Sequence, residues 1–443
     1  MKLSSKTSLE IRRSKERRKV QLRTGSFLMK QTQSQNPHAI IIGLDCITGL
    51  QSARILARHG VPIIGLAKNP EHYCCKTNTV ERIIPANLGN EDFIHTLEKL
   101  GPTLPHQAVL FPCSDMSVLL LSRHRTRLAK WFHLAVPGAE AVEMLMDKTR
   151  FYTYAMEKGL PIPATYFLRN RAEAAVAAER LNFPCILKPP MKTPKWEQNT
   201  KAKVFKLAGA REFLEQYERC ASWAEVLMAQ EWIAGTDADL YSCNCYFNAK
   251  SEPLVTFVAR KLRQWPPHTG TSCLGEEVRN DEVLHATLQL FQTVKFHGLG
   301  YVEMKRDAAT GKHYIIEPNI GRPTGRSAIA EAGGVELLYT KYCDLLGKPL
   351  PSQRAQKYEG VKWIYLRRDL QSALYYWKRG ELSLSEWWRT FRGRKGFAVW
   401  SLRDQRPFWS DLRRIAFPKK APVSSVAQTH RAEATPAVAL ERS

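Results

Sequence analysis

From His38 onward, short apolar runs alternate with amphipathic stretches and leave little freedom in fold class. AIIIGL reads as a buried strand, LQSARILARHG as an amphipathic helix closed by Gly60, and VPIIGLA as a second strand. ERIIPA, EDFIHTLEKLG and AVLFPCSD continue as strand, helix and strand. Strands separated by helices specify a parallel α/β sheet. The turn from Gly43 to Gly49 does not spell GxGxxG, and no acidic residue sits in the ribose-binding place at the end of the second strand, so a dinucleotide site is not expected.

The chain continues with a helical segment around MDKTRFYTYAMEKGLPIPATYFL, then the strands FPCILKPP and EVLMAQEWIAG. Beyond Gly235, DLYSCNCYF and PLVTFVARKL alternate with period two, as half-buried strands do. A helix (DEVLHATLQLFQTVKFHG), two strands (YVEMKRD and HYIIEPN) and a helical region over 327–347 follow. The reading divides the chain into a basic disordered leader (1–36), an α/β domain (37–138), a larger α+β domain (139–350), a basic aromatic region (351–420) and a disordered tail (421–443).

Composition narrows the class. The 443 residues suffice for a large core, and no apolar run is long enough to span a bilayer as a helix. Ten cysteines without zinc-ligand or CxxC spacing suit a reduced, cytoplasmic protein. The net charge of +24 is concentrated at the ends: +8 over residues 1–30 and +11 over 351–443. Basic ends point to an acidic partner or to solvent.

The densest chemical signal is YVEMKRDAATGKHYIIEPN. With the turn at Ala308–Lys312, Glu303 faces Glu317 across a hairpin, and Asn319 shares the face of Glu317. Two opposed carboxylates repel, and a divalent cation removes that cost. Oxygen donors of this kind suit Mg²⁺. A solvent-facing hairpin is the plainer alternative, but the residues around both acids are apolar. Lys148 opens a helix after Asp147, and Lys188 ends a buried strand, where an ammonium can grip a phosphate or simply reach solvent. Gln230-Glu231-Trp232-Ile233, followed by Gly235 and Asp237, can form a strand-end hinge for a flat base or an ordinary turn.

The order of these signals resembles the ATP-grasp superfamily, and within it the predicted ATP-dependent carboxylate–amine ligases related to D-aspartate ligase. MDKTRFYTYAMEKGLPIPAT, PCILKP, ARKLRQWPP and IIEPNIGRPTGRS carry the resemblance, which covers about residues 38–350. It implies a Rossmann-like pre-ATP-grasp domain followed by an ATP-grasp fold, with ATP and Mg²⁺ as cofactors and small carboxylate and amine substrates. It further implies that Lys148 and Lys188 hold the ATP phosphates and that Gln230, Glu231, Trp232 and Ile233 form the adenine hinge. Asp237, with Asp239 as second choice, accepts from ribose, and Glu303, Glu317 and Asn319 bind Mg²⁺. Lys261 or Arg260 reaches the γ-phosphate or the carboxylate substrate, and Arg322 and Arg326 serve the acyl-phosphate. Three departures stand out. Residues 189–204 contain no glycine for a phosphate loop, leaving Lys192, Lys195 or Lys201 as substitutes; Asn319-Ile320-Gly321-Arg322 replaces Asn-Pro-Arg; and Tyr301 stands where D-alanine–D-alanine ligase has an arginine.

The aromatic, basic stretches WIYLRRDLQSALYYWKRG, SEWWRTFRGRKGF and FWSDLRRIAF fit a helical cap on the core. They also fit peripheral contact with an anionic membrane at its inner face. A nucleic-acid surface is the least expected of the three.

Overall fold

The computed structural model describes residues 36–417 apart from Lys192, His268, Thr269 and Ser327; the leader, the tail and Lys192 as a phosphate-loop substitute lie outside the described residues. Three sheets organise it. In the first, β1 (Ala39–Ile42), β2 (Ile63–Ala67), β3 (Arg82–Pro85), β4 (Ala108–Pro112) and β5 (Phe132–His133) pair in parallel in the order β3-β2-β1-β4-β5. The apolar run in β1 follows from burial on both faces: Ala39 and Ile41 enter one core, Ile40 and Ile42 another. Gly43 takes φ +104°, and a Cβ on Gly49 would lie 2.2 Å from the Gly43 carbonyl oxygen. These glycines let the helix Ile47–Arg58 start tight against β1 and turn residues 45–48 toward the cleft.

The second sheet is antiparallel: β6 (Thr165–Leu168), β7 (Cys185–Lys188), β8 (Phe205–Leu207) and β9 (Leu227–Glu231), in the order β6-β9-β7-β8. The helices Arg171–Arg180 and Ala210–Cys220 complete its separate core. The glycine-free segment contains a helix, Pro194–Asn199, capped by Thr193 and anchored by the fully buried Trp196, whose Nε1 donates to Ala202 O at 3.0 Å. Lys195 and Lys201 lie exposed on it.

The third sheet contains β10 (Leu240–Phe247), β11 (Pro253–Trp265), β12 (Thr271–Glu277), β13 (Gly298–Arg306), β14 (His313–Ile320), β15 (Lys362–Ile364) and β16 (Lys395–Phe397). Their order is β14-β13-β10-β11-β12-β15-β16. β12 carries no clear apolar alternation and escapes the sequence reading. The region after residue 350 joins this sheet through β15 and β16. Two buried ion pairs fasten it: Arg263 to Asp369 and Arg54 to Asp404, both at 2.8 Å. The Glu277 carboxylate adds a clasp by accepting from the backbone N–H groups of Tyr358, Glu359 and Val361. The buried Asp369, Asp404 and Trp363 of this region thus dock it on the core as a cap would, while many of its arginines, with Trp388 and Trp409, remain exposed. No helix among the described residues is long and apolar enough to cross a membrane.

Candidate active site

The hairpin of β13 and β14 pairs Glu303 with Glu317 and Tyr301 with Asn319, with a bulge after Glu303. The Asp307–Lys312 turn sets this register through the Asp307 N–H donating to Lys312 O and a left-handed Gly311. The Glu303 carboxylate lies 3.7 Å from Lys261 Nζ and 4.0 Å from Arg326 Nη2. Burial opposes its ionisation, but Lys261, Arg326 and Arg322 outweigh burial and hold it below the usual carboxylate range. Glu317 opens onto solvent at one edge, yet the close protein walls push its carboxyl up. Lys148 opposes that rise, and Glu303 and Asp115 add to it.

Arg260 is committed to Glu276 at 3.0 Å, so Lys261 is the cation of that pair facing the acids. Arg322 donates to Tyr301 Oη at 3.0 Å, to Asn319 Oδ1 at 2.8 Å and to Asp115. The Asn319 amide oxygen thus already accepts one hydrogen bond. Arg326 is buried; its Nη2 donates to Ser242 Oγ at 3.0 Å, and its Nη1 has no protein partner.

On the other side of Glu317, Lys148 is the first residue of the helix Lys148–Glu157, fixed there because Asp147 caps the helix by accepting from Arg150 N–H. Lys148 lines a small pocket with Asp115, Tyr152, Glu317 and Asn319. Lys188 ends β7, and burial lowers its ammonium to about 8, with Lys148 adding repulsion and Glu317 opposing. Gln230 is buried in β9, its Nε2 donating to Thr165 Oγ1 at 2.9 Å. Glu231 and Trp232 continue the strand end through N–H bonds to Ala164 O and Pro184 O, and Ile233 is buried beyond them. The Trp232 ring meets Lys206 and Lys305 at 4.5 and 5.1 Å.

Asp237 is engaged within the protein. Its carboxylate is buried and accepts from Gln264 Nε2 at 2.6 Å and Tyr376 Oη at 2.7 Å. The acid clamps β11 to the helix Leu366–Lys378, which occupies one acceptor site on each of its oxygens. Asp239 also has a structural role, accepting from Thr236 and lying 3.5 Å from Arg306.

A cavity of about 610 Å³ brings together Lys261, Glu303, Glu317, Asn319, Arg322 and Arg326. Sequence reasoning missed Asp115, Thr271, Trp363, Tyr365 and Arg368 in its wall. Asp115 carried a faint signal, a carboxylate just past a buried strand. The others, distant in sequence, carried none. Among the described residues no cluster of three or more His, Cys, Asp or Glu side chains could hold a metal. Two facing carboxylates plus an amide oxygen nevertheless fit Mg²⁺, which keeps waters and takes phosphate oxygens for the rest of its shell.

No family model matches the chain. D-aspartate ligase of Enterococcus faecium (strain Aus0004) is 23% identical over 259 residues, 56% of this chain and 61% of that protein. D-alanine–D-alanine ligase of Bordetella avium (strain 197N) is 25% identical over 122 residues, 28% of this chain and 37% of that protein. The chain therefore spans less than two thirds of the length of the curated relatives it matches. Among solved structures, the biotin carboxylase domain of Hydrogenobacter thermophilus 2-oxoglutarate carboxylase, in complex with MgADP, ADP and bicarbonate, superimposes with a TM-score of 0.55 at 13% identity, covering 72% of each chain. With the three-sheet architecture and these similarities in hand, the chain has an ATP-grasp fold and is similar in sequence to ATP-grasp ligases.

Proposed function

We propose that this chain is an ATP- and Mg²⁺-dependent carboxylate–amine ligase that forms an amide through an acyl-phosphate and releases ADP and phosphate. The observation that carries this reading is the facing pair Glu303 and Glu317, with Lys148 on one side and Lys261 and Arg326 on the other. Its relatives named for D-aspartate and D-alanine ligation, and the MgADP bound by its structural neighbour, support it.

Glu303, Glu317 and Asn319 would hold Mg²⁺, which supplies positive charge between phosphate oxygens when bound. Lys148 and Lys188 hold the ATP phosphates, and the strand end Gln230, Glu231, Trp232 and Ile233 seats the adenine. A carboxylate oxygen attacks the γ-phosphorus, the bond to the β,γ-bridging oxygen breaks, and ADP leaves. Lys261 and Arg326 face the charge that develops on the transferred group, in a setting where fixed cations act strongly. Arg322 orients Asn319 and Tyr301. The amine nitrogen then attacks the acyl carbon, phosphate leaves, and the nitrogen loses a proton. Exclusion of water from the cleft during the reaction would protect the acyl-phosphate from hydrolysis. The test is nucleotide turnover with Mg²⁺ against pooled carboxylates and amines. Substrate-dependent ADP supports the reading, whereas ATP binding without turnover favours a non-catalytic nucleotide module.

We place the ligase in the cytoplasm, with peripheral contact at an anionic membrane as a second element. The helix Arg406–Ala416 supports it by exposing Trp409, Leu412 and Ile415 beside Arg413 and Arg414. Co-sedimentation with anionic vesicles, lost in Trp409→Ala, tests this contact.

A further inference from the structure

One wall of the 610 Å³ cavity is built by Trp363, Tyr365 and Arg368, to which the ligase reading assigns no nucleotide contact. Trp363 lies in β15, Tyr365 follows it, and Arg368 sits in the first turn of the helix Leu366–Lys378. The wall is braced from behind. Trp363 Nε1 donates to Gln51 Oε1 at 3.3 Å, and Tyr365 Oη donates to Asp411 Oδ2 at 3.3 Å.

Arg368 is half-buried; its Nη1 donates to Thr271 Oγ1 at 2.6 Å, and its guanidinium lies 5.2 Å from the centre of the Tyr365 ring. Its neighbour Arg367 is neutralised by Asp411 at 3.2 Å, and Arg263 by Asp369. Among the described residues Arg368 pairs with no carboxylate, although it is held in one orientation. The same cavity contains Arg326 Nη1, buried and without a protein partner. Two guanidinium groups therefore present unused donors to one space, and their fork geometry matches a carboxylate.

The two lie apart along the sheet. Gly275 pairs with Lys261, and a Cβ on Gly275 would meet Arg326 Cδ at 3.3 Å. Thr271, which holds Arg368, is four residues up the same strand, roughly 13 Å away. The contacts that fix the two arginines are thus separated by more than the width of one carboxylate, and we assign them separate groups.

We propose that one of the two substrates carries an anionic group that does not react, and that Arg368, aimed by Thr271 and stacked on Tyr365, binds it. This rests on the ligase reading, with Lys261 and Arg326 serving the reacting carboxylate. The region after residue 350 then completes the substrate pocket and selects what enters it.

The experiment uses the full chain and matched substrate pairs with and without a second carboxylate. The acids are succinate, glutarate and aspartate against propionate, butyrate and alanine; the amines are amino acids against their decarboxylated counterparts. Wild-type protein is expected to favour the extra carboxylate in one series. Arg368→Gln should raise KM for that substrate about 10- to 100-fold, with kcat and MgATP affinity unchanged. Arg368→Lys should recover part of the loss, and Thr271→Val should give a smaller increase in the same KM. The series affected identifies which substrate carries the group. Turnover without such a preference, or a preference that survives Arg368→Gln, overturns this inference and leaves the ligase standing. No turnover with any pair overturns the ligase reading and this inference with it.

Discussion

On the side of the cleft assigned to the nucleotide, Lys148 opens a helix capped by its own neighbour Asp147, and Lys188 ends a four-residue buried strand. On the opposite side, Arg368 bonds to Thr271, nearly a hundred residues earlier, and Trp363 to Gln51, more than three hundred earlier. The first side is made of local elements whose placement is written in a few adjacent residues. The second exists only once distant segments have paired. On the proposed ligase reading, local motifs would hold the nucleotide, and tertiary assembly would supply the part that differs with substrate.

That comparison can be broken at its anchor. Asp369 is fully buried against Arg263 and also accepts from Trp387 Nε1 at 3.1 Å. Asp369→Ala leaves a buried guanidinium unpaired and should cost about 3–5 kcal/mol. Thermal unfolding of the full chain should then fall by several degrees or more. An unchanged Tm would mean that the region after residue 350 is not part of the core. Glu317→Gln removes one of the facing carboxylates and should lower Mg²⁺-dependent turnover at least ~100-fold while leaving Tm nearly unchanged. A fully active variant would separate Glu317 from the reaction.

A smaller effect sharpens the nucleotide side. Burial and Lys148 lower Lys188 to about 8, so the charged form that attracts phosphate is lost as pH rises through that value. ATP affinity should therefore weaken from pH 7 to 9.5, and Lys188→Arg, charged throughout, should flatten that dependence. Calorimetric titration across this range checks it, and an identical pH profile in the variant would remove Lys188 from phosphate binding. The smallest expected effect belongs to Lys195→Ala and Lys201→Ala. Both residues are exposed on a segment whose shape is set by buried Trp196, so ATP affinity should change less than twofold. A tenfold loss would show that the segment closes onto the phosphates with side-chain charge.

Four of the five strands of the first sheet, the facing of Glu303 and Glu317 and the helix-start position of Lys148 were legible in the sequence, because period and local capping determine them; the two-residue β5 was too short to read. The packing role of Asp237 was not legible, for a physical reason. An acid after a strand looks free until the helix bearing Tyr376 and the strand bearing Gln264 close on it. β12 was invisible because Thr271–Glu277 lacks alternation, and without β12 neither Thr271 nor the attachment of β15 can be inferred. The tryptophans and arginines after residue 350 read first as a cap and next as a membrane surface. Composition does not say which arginine finds a buried aspartate.

The most direct test of the central claim follows oxygen. Once a productive carboxylate is in hand, it is supplied with ¹⁸O in the carboxyl group, together with ATP, Mg²⁺ and the amine. Attack by that carboxylate on the γ-phosphorus transfers one labelled oxygen, so the account predicts ADP together with phosphate carrying a single ¹⁸O. Unlabelled phosphate, or AMP with pyrophosphate, would contradict it.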